Sequence, residues 1–391
     1  MTATLSRKAA IVGIGATEFS KDSGRTEMQL ACEAVTAALK DAGLTGSDID
    51  GMATFSMDNN WENEILRQVG GKELKFFSRT EFGGGAACGP FVHAATAITS
   101  GLCDTVVIYR ALNERSGLRF GSGQLMDTNP LNPNMINFSH YFPFGFMTPA
   151  AWIAVSARRY MHEYGATSED FGRVAVAMRD FAATNPNAFF YEKPISLEDH
   201  QNSKMIADPL RLYDCCQESD GAVAFVVTSV EKAKDLAQIP AVIASARQSI
   251  VKESRMMTPF YNETISGIPE FDACAGEIYA MADLNPGDID VACLYDHFSP
   301  WVLPQLEAFG FCDKGEAKDF IRDGHIARGG KLPVNPHGGQ LGEAYIHGMN
   351  GIAEAVRQIR GSAVNQMDNV EHVLITAGTG VPTGAAILEK G

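Results

Sequence analysis

The chain opens on a compact alternation of apolar runs and amphipathic segments. Ala10-Ile11-Val12-Gly13-Ile14-Gly15 has the pattern of a buried strand. From Thr26 to Ala42, Leu30, Ala31, Ala34, Val35, Ala38 and Leu39 fall at helical spacing, and Gly43 supplies a stop. The turn Asp48-Ile49-Asp50-Gly51 leads into a second strand, Met52 to Phe55. Gly83-Gly84-Gly85 opens an Ala-rich helix from Ala86 to Ser100, and an apolar strand follows from Thr105 to Tyr109. This alternation of strands and helices predicts a largely parallel α/β sheet.

The order of elements then returns. Ala42-Gly43-Leu44-Thr45-Gly46-Ser47-Asp48-Ile49-Asp50 is echoed by Ala282-Asp283-Leu284-Asn285-Pro286-Gly287-Asp288-Ile289-Asp290. Each copy follows a helix and precedes a strand (Met52 onward; Val291 to Leu294). A second glycine turn, Gly338-Gly339, precedes another helix and a strand from His372 to Thr376. Ala241-Val242-Ile243-Ala244 can pair with the opening strand. The repeat predicts an internal duplication, with halves at 1–237 and 238–391.

From about residue 116 to 203 the pattern breaks. Asn129-Pro130, Asn132-Pro133 and Tyr141-Phe142-Pro143-Phe144-Gly145 precede a helix from Ala150 to Tyr164. An insertion of this size on a sheet scaffold points to a lid or a substrate-binding region, the alternative being a further packing layer.

Composition narrows the classes. With 45% hydrophobic residues in 391, the chain can build a large core. Lys and Arg number 32 against 47 Asp and Glu, a net charge of −15, which argues against broad binding to nucleic acid or anionic membranes. No apolar stretch approaches the roughly 20 residues of a membrane span. Eight cysteines without a C-x-x-C pair argue against a zinc ribbon or a redox dithiol, and no metal site is expected. Without a secretory signal, they are expected to be reduced thiols in a cytoplasmic protein.

Local stretches then become specific. Met147-Thr148-Pro149, Arg158-Arg159-Tyr160-Met161-His162-Glu163-Tyr164-Gly165, Ser219-Asp220-Gly221-Ala222 and Asn335-Pro336-His337-Gly338-Gly339 resemble the sterol-carrier type of thiolase. The resemblance covers essentially the whole chain. It implies the thiolase fold, a duplicated five-layered α/β/α/β/α packing, and an acyl-CoA substrate.

The catalytic positions depart from a thiolase. The nucleophilic cysteine falls on Gly84, which has no side chain and cannot form an acyl-enzyme. The histidine of the late Gly-His-Pro falls on Tyr345, and the His-Asp-x-Phe motif reads Tyr295-Asp296-His297-Phe298. The second cysteine falls around Thr376 or Ala377. Gly83 to Cys88, Leu294 to Phe298 and Gly342 to Gly351 closely resemble the thiolase-like lipid-transfer-protein aldolases of bacterial steroid degradation. That resemblance implies retro-aldol cleavage of a 17-hydroxy-steroid 22-oyl-CoA thioester to a 17-keto steroid and propionyl-CoA. It further implies a small OB-fold partner protein that can carry zinc, a homodimer through the thiolase-type interface, and no cofactor beyond the CoA of the substrate.

The reaction needs a base for the hydroxyl, donors for the thioester oxyanion and an acid for the enolate, but no covalent nucleophile. Tyr295 and Tyr345 are assigned as the acid–base pair, with the order between them open. A phenol near pKa 10 needs help from a positive charge or a hydrogen bond. His297 and His347, each two residues from a tyrosine, are the candidates for that help. His337 is a possible oxyanion donor or water holder, and Asp296 an orienting group. Gly83, Gly84 and Gly85 are expected to leave open space for a thioester oxygen or a steroid ring. Weaker candidates for substrate contact are Cys88, Tyr141 and Phe144, with Arg158, Arg159 and Lys204 for the CoA phosphates. Two alternatives stay open: a 3-ketoacyl-CoA thiolase using Cys88, and a non-catalytic sterol or acyl-CoA carrier.

Overall fold

The computed structural model describes residues 5–117, 119–122, 136, 138–252, 254, 260, 262–378 and 382–391. Its strands are β1 (Ala9–Ala16), β2 (Gly51–Phe55), β3 (Phe76–Thr80), β4 (Thr105–Asn113), β5 (Met205–Ala207), β6 (Leu210–Arg211), β7 (Asp220–Ser229), β8 (Ala241–Ser249), β9 (Val291–Cys293), β10 (His372–Thr376) and β11 (Thr383–Lys390). Nine of them pair in the order β3-β2-β4-β7-β1-β8-β11-β10-β9, and β5 and β6 form a separate ribbon. The order β3-β2-β4-β7-β1, read inward from one edge, is matched by β9-β10-β11-β8 from the other. A parallel bridge from Ala292 to Val334 stands where a fifth strand would be. The two series are joined in the sheet where β1 pairs with β8, Ala10 with Val242 and Ile11 with Ala241.

Strand alternation explains the layers. Ala9 and Ile11 point into one hydrophobic cluster, and Ala10 and Val12 into another. The same division runs through β4, where Val106 and Ile108 face the first cluster and Val107 and Tyr109 the second. In β11, Ala386 and Leu388 face the first cluster and Ala385 and Ile387 a third. The first cluster holds two helices, Gly89–Thr99 and Met349–Arg360, between the two strand series. The second covers one outer face with Glu27–Ala42, and the third covers the other with Pro269–Ala282. Three apolar cores between alternating layers give the α/β/α/β/α stack.

The repeated motif folds alike in both places. Thr45 and Asn285 are each held by the carboxylate three residues on, at 2.8 Å and 2.7 Å. Asp50 then accepts the backbone N–H of Thr105 at 2.8 Å, and Asp290 that of His372 at 2.9 Å. Each aspartate ties the motif to the start of a parallel neighbour. The first helix begins at a capping box, Thr26 with Gln29, and ends at Gly43 in the left-handed region.

Two expectations are corrected. The sheet is mixed and not largely parallel: β2 is parallel to β3 and β4, and β9 to β10, but β7 and β11 run antiparallel to their neighbours. The return from Thr376 to Thr383 is too short for a crossover helix, so β11 must reverse. The described helices of the insertion, Pro149–Tyr164 and Ser168–Ala183, also belong to the core. Their Ile153, Tyr160, Phe171 and Met178 pack in the third cluster, so this part is a packing layer and not a lid. Asn129-Pro130 and Asn132-Pro133 lie outside the described residues. Among the described residues, no helix is long and apolar enough to cross a membrane.

Candidate active site

Tyr295 and Tyr345 come together. The Tyr295 hydroxyl donates to the Tyr345 hydroxyl at 3.1 Å, and the rings meet edge to face with centroids 6.4 Å apart. Both side chains are buried. Tyr295 follows β9, and its backbone is locked there. Its N–H reaches Thr376 Oγ1 at 2.9 Å and Gln305 Oε1 at 3.2 Å, and its carbonyl accepts Gln305 Nε2 at 2.8 Å. The Thr376 hydroxyl, at a position assigned to the second thiolase cysteine, is thus engaged in holding Tyr295. The Tyr345 N–H donates to Ser219 Oγ at 3.2 Å, and Glu218 bridges to Tyr345 along the backbone. The segment leading into β7 therefore positions this tyrosine.

Gly84, the position matched to a thiolase nucleophile by resemblance, has no room for a side chain. A Cβ built there would lie 1.7 Å from the Tyr295 hydroxyl oxygen. Cβ atoms at Gly378 and Gly348 would meet the same ring at 2.5 and 2.9 Å, and one at Gly83 would meet the His347 ring at 2.3 Å. The glycine turn does not leave open space for a thioester or a steroid ring, contrary to the sequence expectation: it makes room for Tyr295 and His347. The phenol stands where a cysteine side chain would be.

The histidines sit against their tyrosines. The ring of His297 lies 5.0 Å from that of Tyr295, and the ring of His347 lies 5.2 Å from that of Tyr345. His347 Nδ1 accepts from Arg110 Nε at 3.1 Å, so its proton belongs on Nε2. Arg110 is itself buried and paired with Asp58 at 3.0 Å. Burial pushes His347 well below the usual histidine range, and the Arg110 charge adds to this. Burial likewise pushes His297 down to about 3, and neither of its ring nitrogens has a hydrogen-bond partner. Both imidazoles are neutral near pH 7. Both meet the tyrosines ring against ring, and neither supplies a positive charge. The phenols are both pushed well above 10 by burial, an effect opposed at Tyr295 by the hydrogen bond with Tyr345.

Asp296 orients the late glycine turn, not a histidine. Its carboxylate accepts the backbone N–H of Gln340 at 2.8 Å and of Leu341 at 3.4 Å, and burial raises it to about 7. A Cβ at Gly339, where φ is +65°, would lie 2.0 Å from that carboxylate, so only glycine fits. His337 belongs to a buried polar cluster. Its Nε2 is 3.9 Å from Glu343 Oε2, its Nδ1 has no partner, and burial brings it to about 3.

The weaker candidates fall elsewhere. Cys88 is fully buried in the core between the two strand series, beside Ile11, Phe91, Ile352 and Ile375. Its thiol is pushed far up by burial, so it is a packing residue and neither a nucleophile nor a substrate contact. Tyr141 packs edge-on against Phe260, and Phe144 stands in solvent, 79% exposed. Arg158 is paired with Asp208 and Arg159 with Glu163, while Lys204 is exposed. Sequence reasoning missed Arg110, Asp58 and Glu114. The signal was a charged pair, Arg110 and Glu114, on one face at the end of an otherwise apolar strand.

Comparisons with known proteins show the family. Residues 262–390 match the thiolase C-terminal domain-like family. A protein of Thermomonospora curvata named steroid side-chain-cleaving aldolase is 60% identical, over 97% of this chain and 97% of its own. The 17-hydroxy-3-oxo-4-pregnene-20-carboxyl-CoA lyase of Mycobacterium tuberculosis is 58% identical, over 98% of this chain and all (100%) of its own. The solved structure of an Ltp2-ChsH2(DUF35) aldolase superposes with a TM-score of 0.95 at 58% identity, covering 99% of each chain. Human mitochondrial 3-ketoacyl-CoA thiolase shares the fold alone, with a TM-score of 0.68 at 15% identity. By fold, site and these relatives, the chain belongs to the thiolase-like family of steroid side-chain-cleaving aldolases.

Proposed function

We propose that this protein cleaves a 17-hydroxy-steroid 22-oyl-CoA thioester to a 17-keto steroid and propionyl-CoA. The observation that carries this reading is the Tyr295–Tyr345 hydroxyl pair, 3.1 Å apart, in the space that a thiolase cysteine would need. In the cleavage, the tyrosine pair takes the proton of the C17 hydroxyl. The C17–C20 bond breaks, and its electrons form the thioester enolate. The other phenol of the pair then protonates C20. Two hydrogen-bonded hydroxyls can pass along a proton gained on one side and given up on the other, so the net reaction consumes no acid or base. His297 presents an unpartnered neutral imidazole beside Tyr295, and its N–H is the donor we assign to the thioester oxygen. No cofactor enters beyond the CoA of the substrate.

We take the halves 1–237 and 238–391 as the units that the site joins, because Gly84 and Arg110 come from the first and both tyrosines from the second. The similar solved structure, an Ltp2-ChsH2(DUF35) aldolase, is named for two components. By likeness to it, this chain acts with a small OB-fold partner that can carry zinc, and dimerises through the thiolase-type interface. A cytoplasmic location suits a CoA substrate.

The test is product analysis. The chain and its partner are mixed with the 17-hydroxy-steroid acyl-CoA, and products are followed by mass spectrometry. Equal amounts of 17-ketone and propionyl-CoA support the reading. Thiolysis of a 3-keto acyl-CoA in their place would mean a thiolase, and binding without turnover would mean a carrier.

A further inference from the structure

The pair of phenols lacks a base. Both are driven well above their ordinary pKa by burial, and both neighbouring histidines are neutral and engaged or depressed. A phenol of that kind cannot rest as phenolate near pH 7, so the proton it takes from a hydroxyl must be balanced by one it passes on.

Asn113 at the end of β4 pairs with Asp220 at the start of β7, so a carboxyl, Glu114, comes next to the Ser219 whose Oγ accepts the Tyr345 N–H at 3.2 Å. Glu114 lies just past the end of β4, on the face that carries Arg110, since Val106, Ile108 and Leu112 of that face point into the central core. It is 4% exposed, and its Oε2 has no hydrogen-bond partner. The ring of Phe120, six residues on, stacks on His347 at 5.5 Å and meets Tyr345 edge-on at 6.5 Å. Glu114 also acts electrostatically on Tyr295 and Tyr345.

The other charges around Glu114 are already committed. Arg110 is paired with Asp58, and Glu218 is held by Arg119 at 2.6 Å and by the backbone N–H of Gly121 at 3.0 Å. Cys216, a further titratable neighbour, is a half-buried thiol pushed well up by desolvation and so neutral. Burial, reinforced by the like charge of Glu218 and opposed by Arg110 and Arg119, raises the Glu114 carboxyl well above the usual range. A carboxyl raised toward neutrality is a more effective base at working pH than one left near 4.5.

We propose that Glu114 is the proton store behind the Tyr295–Tyr345 pair. The inference rests on the aldolase reading. As the C17 O–H bond breaks, its proton bonds to a phenol oxygen, and the pair gives one proton to the Glu114 carboxylate. The C17–C20 bond breaks with its electrons going to the enolate. A phenol O–H then protonates C20, and the Glu114 carboxylic acid returns its proton to the pair. The substrate neither gains nor loses a proton overall. Glu114 acts through the tyrosines, so it is a positioning residue with a proton to hold.

The test is the pH profile of kcat, from about pH 5 to 9, for the chain with its partner protein, in the wild type, Glu114→Gln and Glu114→Asp. The expected wild-type profile rises with pH along one acid limb. Glu114→Gln lowers kcat by about 10²–10⁴-fold, leaves KM near its wild-type value and removes that limb. Glu114→Asp keeps a limb, displaced in pH, with intermediate kcat. A Gln variant that is folded by circular dichroism and keeps the wild-type limb overturns the proposal. Should the Gln variant not fold, an unmoved limb in Glu114→Asp overturns it and a displaced one supports it. A wild type that forms no 17-ketone overturns the aldolase reading, and this inference with it.

Discussion

Gly84→Ala is the smallest change that sets the cysteine position against the phenol. The added carbon would stand 1.7 Å from the Tyr295 hydroxyl oxygen, 2.6 Å from Cζ and 3.1 Å from Cε2, where ordinary contact begins at 3.4 Å. The ring cannot slide aside, because Gly348 and Gly378 already lie so close that a Cβ on either would meet it at 2.9 and 2.5 Å. The tyrosine must therefore retreat by well over 1 Å or the backbone must shift. Overpacking of this kind costs about 1–3 kcal/mol, and a displacement near 1 Å at a reacting group costs about 10²-fold in rate. Urea unfolding gives the first number, and propionyl-CoA release with the partner present gives the second. A double-mutant cycle isolates the cause: in a Tyr295→Ala background the methyl group has room, so Gly84→Ala should add no destabilisation there. Additive costs in that cycle, or a Gly84→Ala variant that is as stable and active as the wild type, would refute the steric argument. Gly84→Cys should fail likewise and gain no thiolase activity, since its sulfur competes with the phenol for one site.

Two further outcomes follow from buried groups. Cys88 is packed in the central core with its thiol pushed up, so iodoacetamide should leave the native enzyme active, and Cys88→Ala should keep kcat while lowering stability by about 1 kcal/mol. Loss of activity on alkylation at Cys88 would contradict this. Glu343 is raised to about 7 by burial, so the folded state holds a proton that the unfolded chain releases near 4.5. Its contribution to stability is thus fully present below about pH 4.5 and declines as pH rises to about 7. Relative to Glu343→Gln, the wild type should lose roughly 3 kcal/mol at most across that window in denaturant titrations, at about 1.4 kcal/mol per pH unit. Parallel stability curves would contradict it.

Much of the architecture was legible because it is repeated. The motif at 42–50 and 282–290 carries its own turn, cap and strand-tying aspartate, so its recurrence exposed the two series of strands. The tyrosines were legible because they fall at motif positions: Tyr295 keeps the Asp296 and Phe298 of the His-Asp-x-Phe pattern, and Tyr345 follows the late glycine turn. The antiparallel strands β7 and β11 were not, since continuous apolar runs carry no sign of direction. The glycine turn was misread for a related reason: a missing Cβ is visible in the sequence, but what fills its place is a ring from residue 295, more than 200 positions away. Arg110 and Glu114 escaped notice because the strand pattern was ended at Tyr109, whereas the strand runs to Asn113 and carries charge inward.

The central claim is that two phenols, and no cysteine, carry the chemistry. Its most direct measurement is single-turnover cleavage of the 17-hydroxy-steroid acyl-CoA by the wild type, Tyr295→Phe and Tyr345→Phe, each with the partner protein. Removing one hydroxyl breaks the 3.1 Å hydrogen bond while leaving the ring packed. The account predicts that each variant binds substrate with near wild-type affinity but releases 17-ketone and propionyl-CoA at least about 10²-fold more slowly. Cleavage at the wild-type rate in either variant would contradict it.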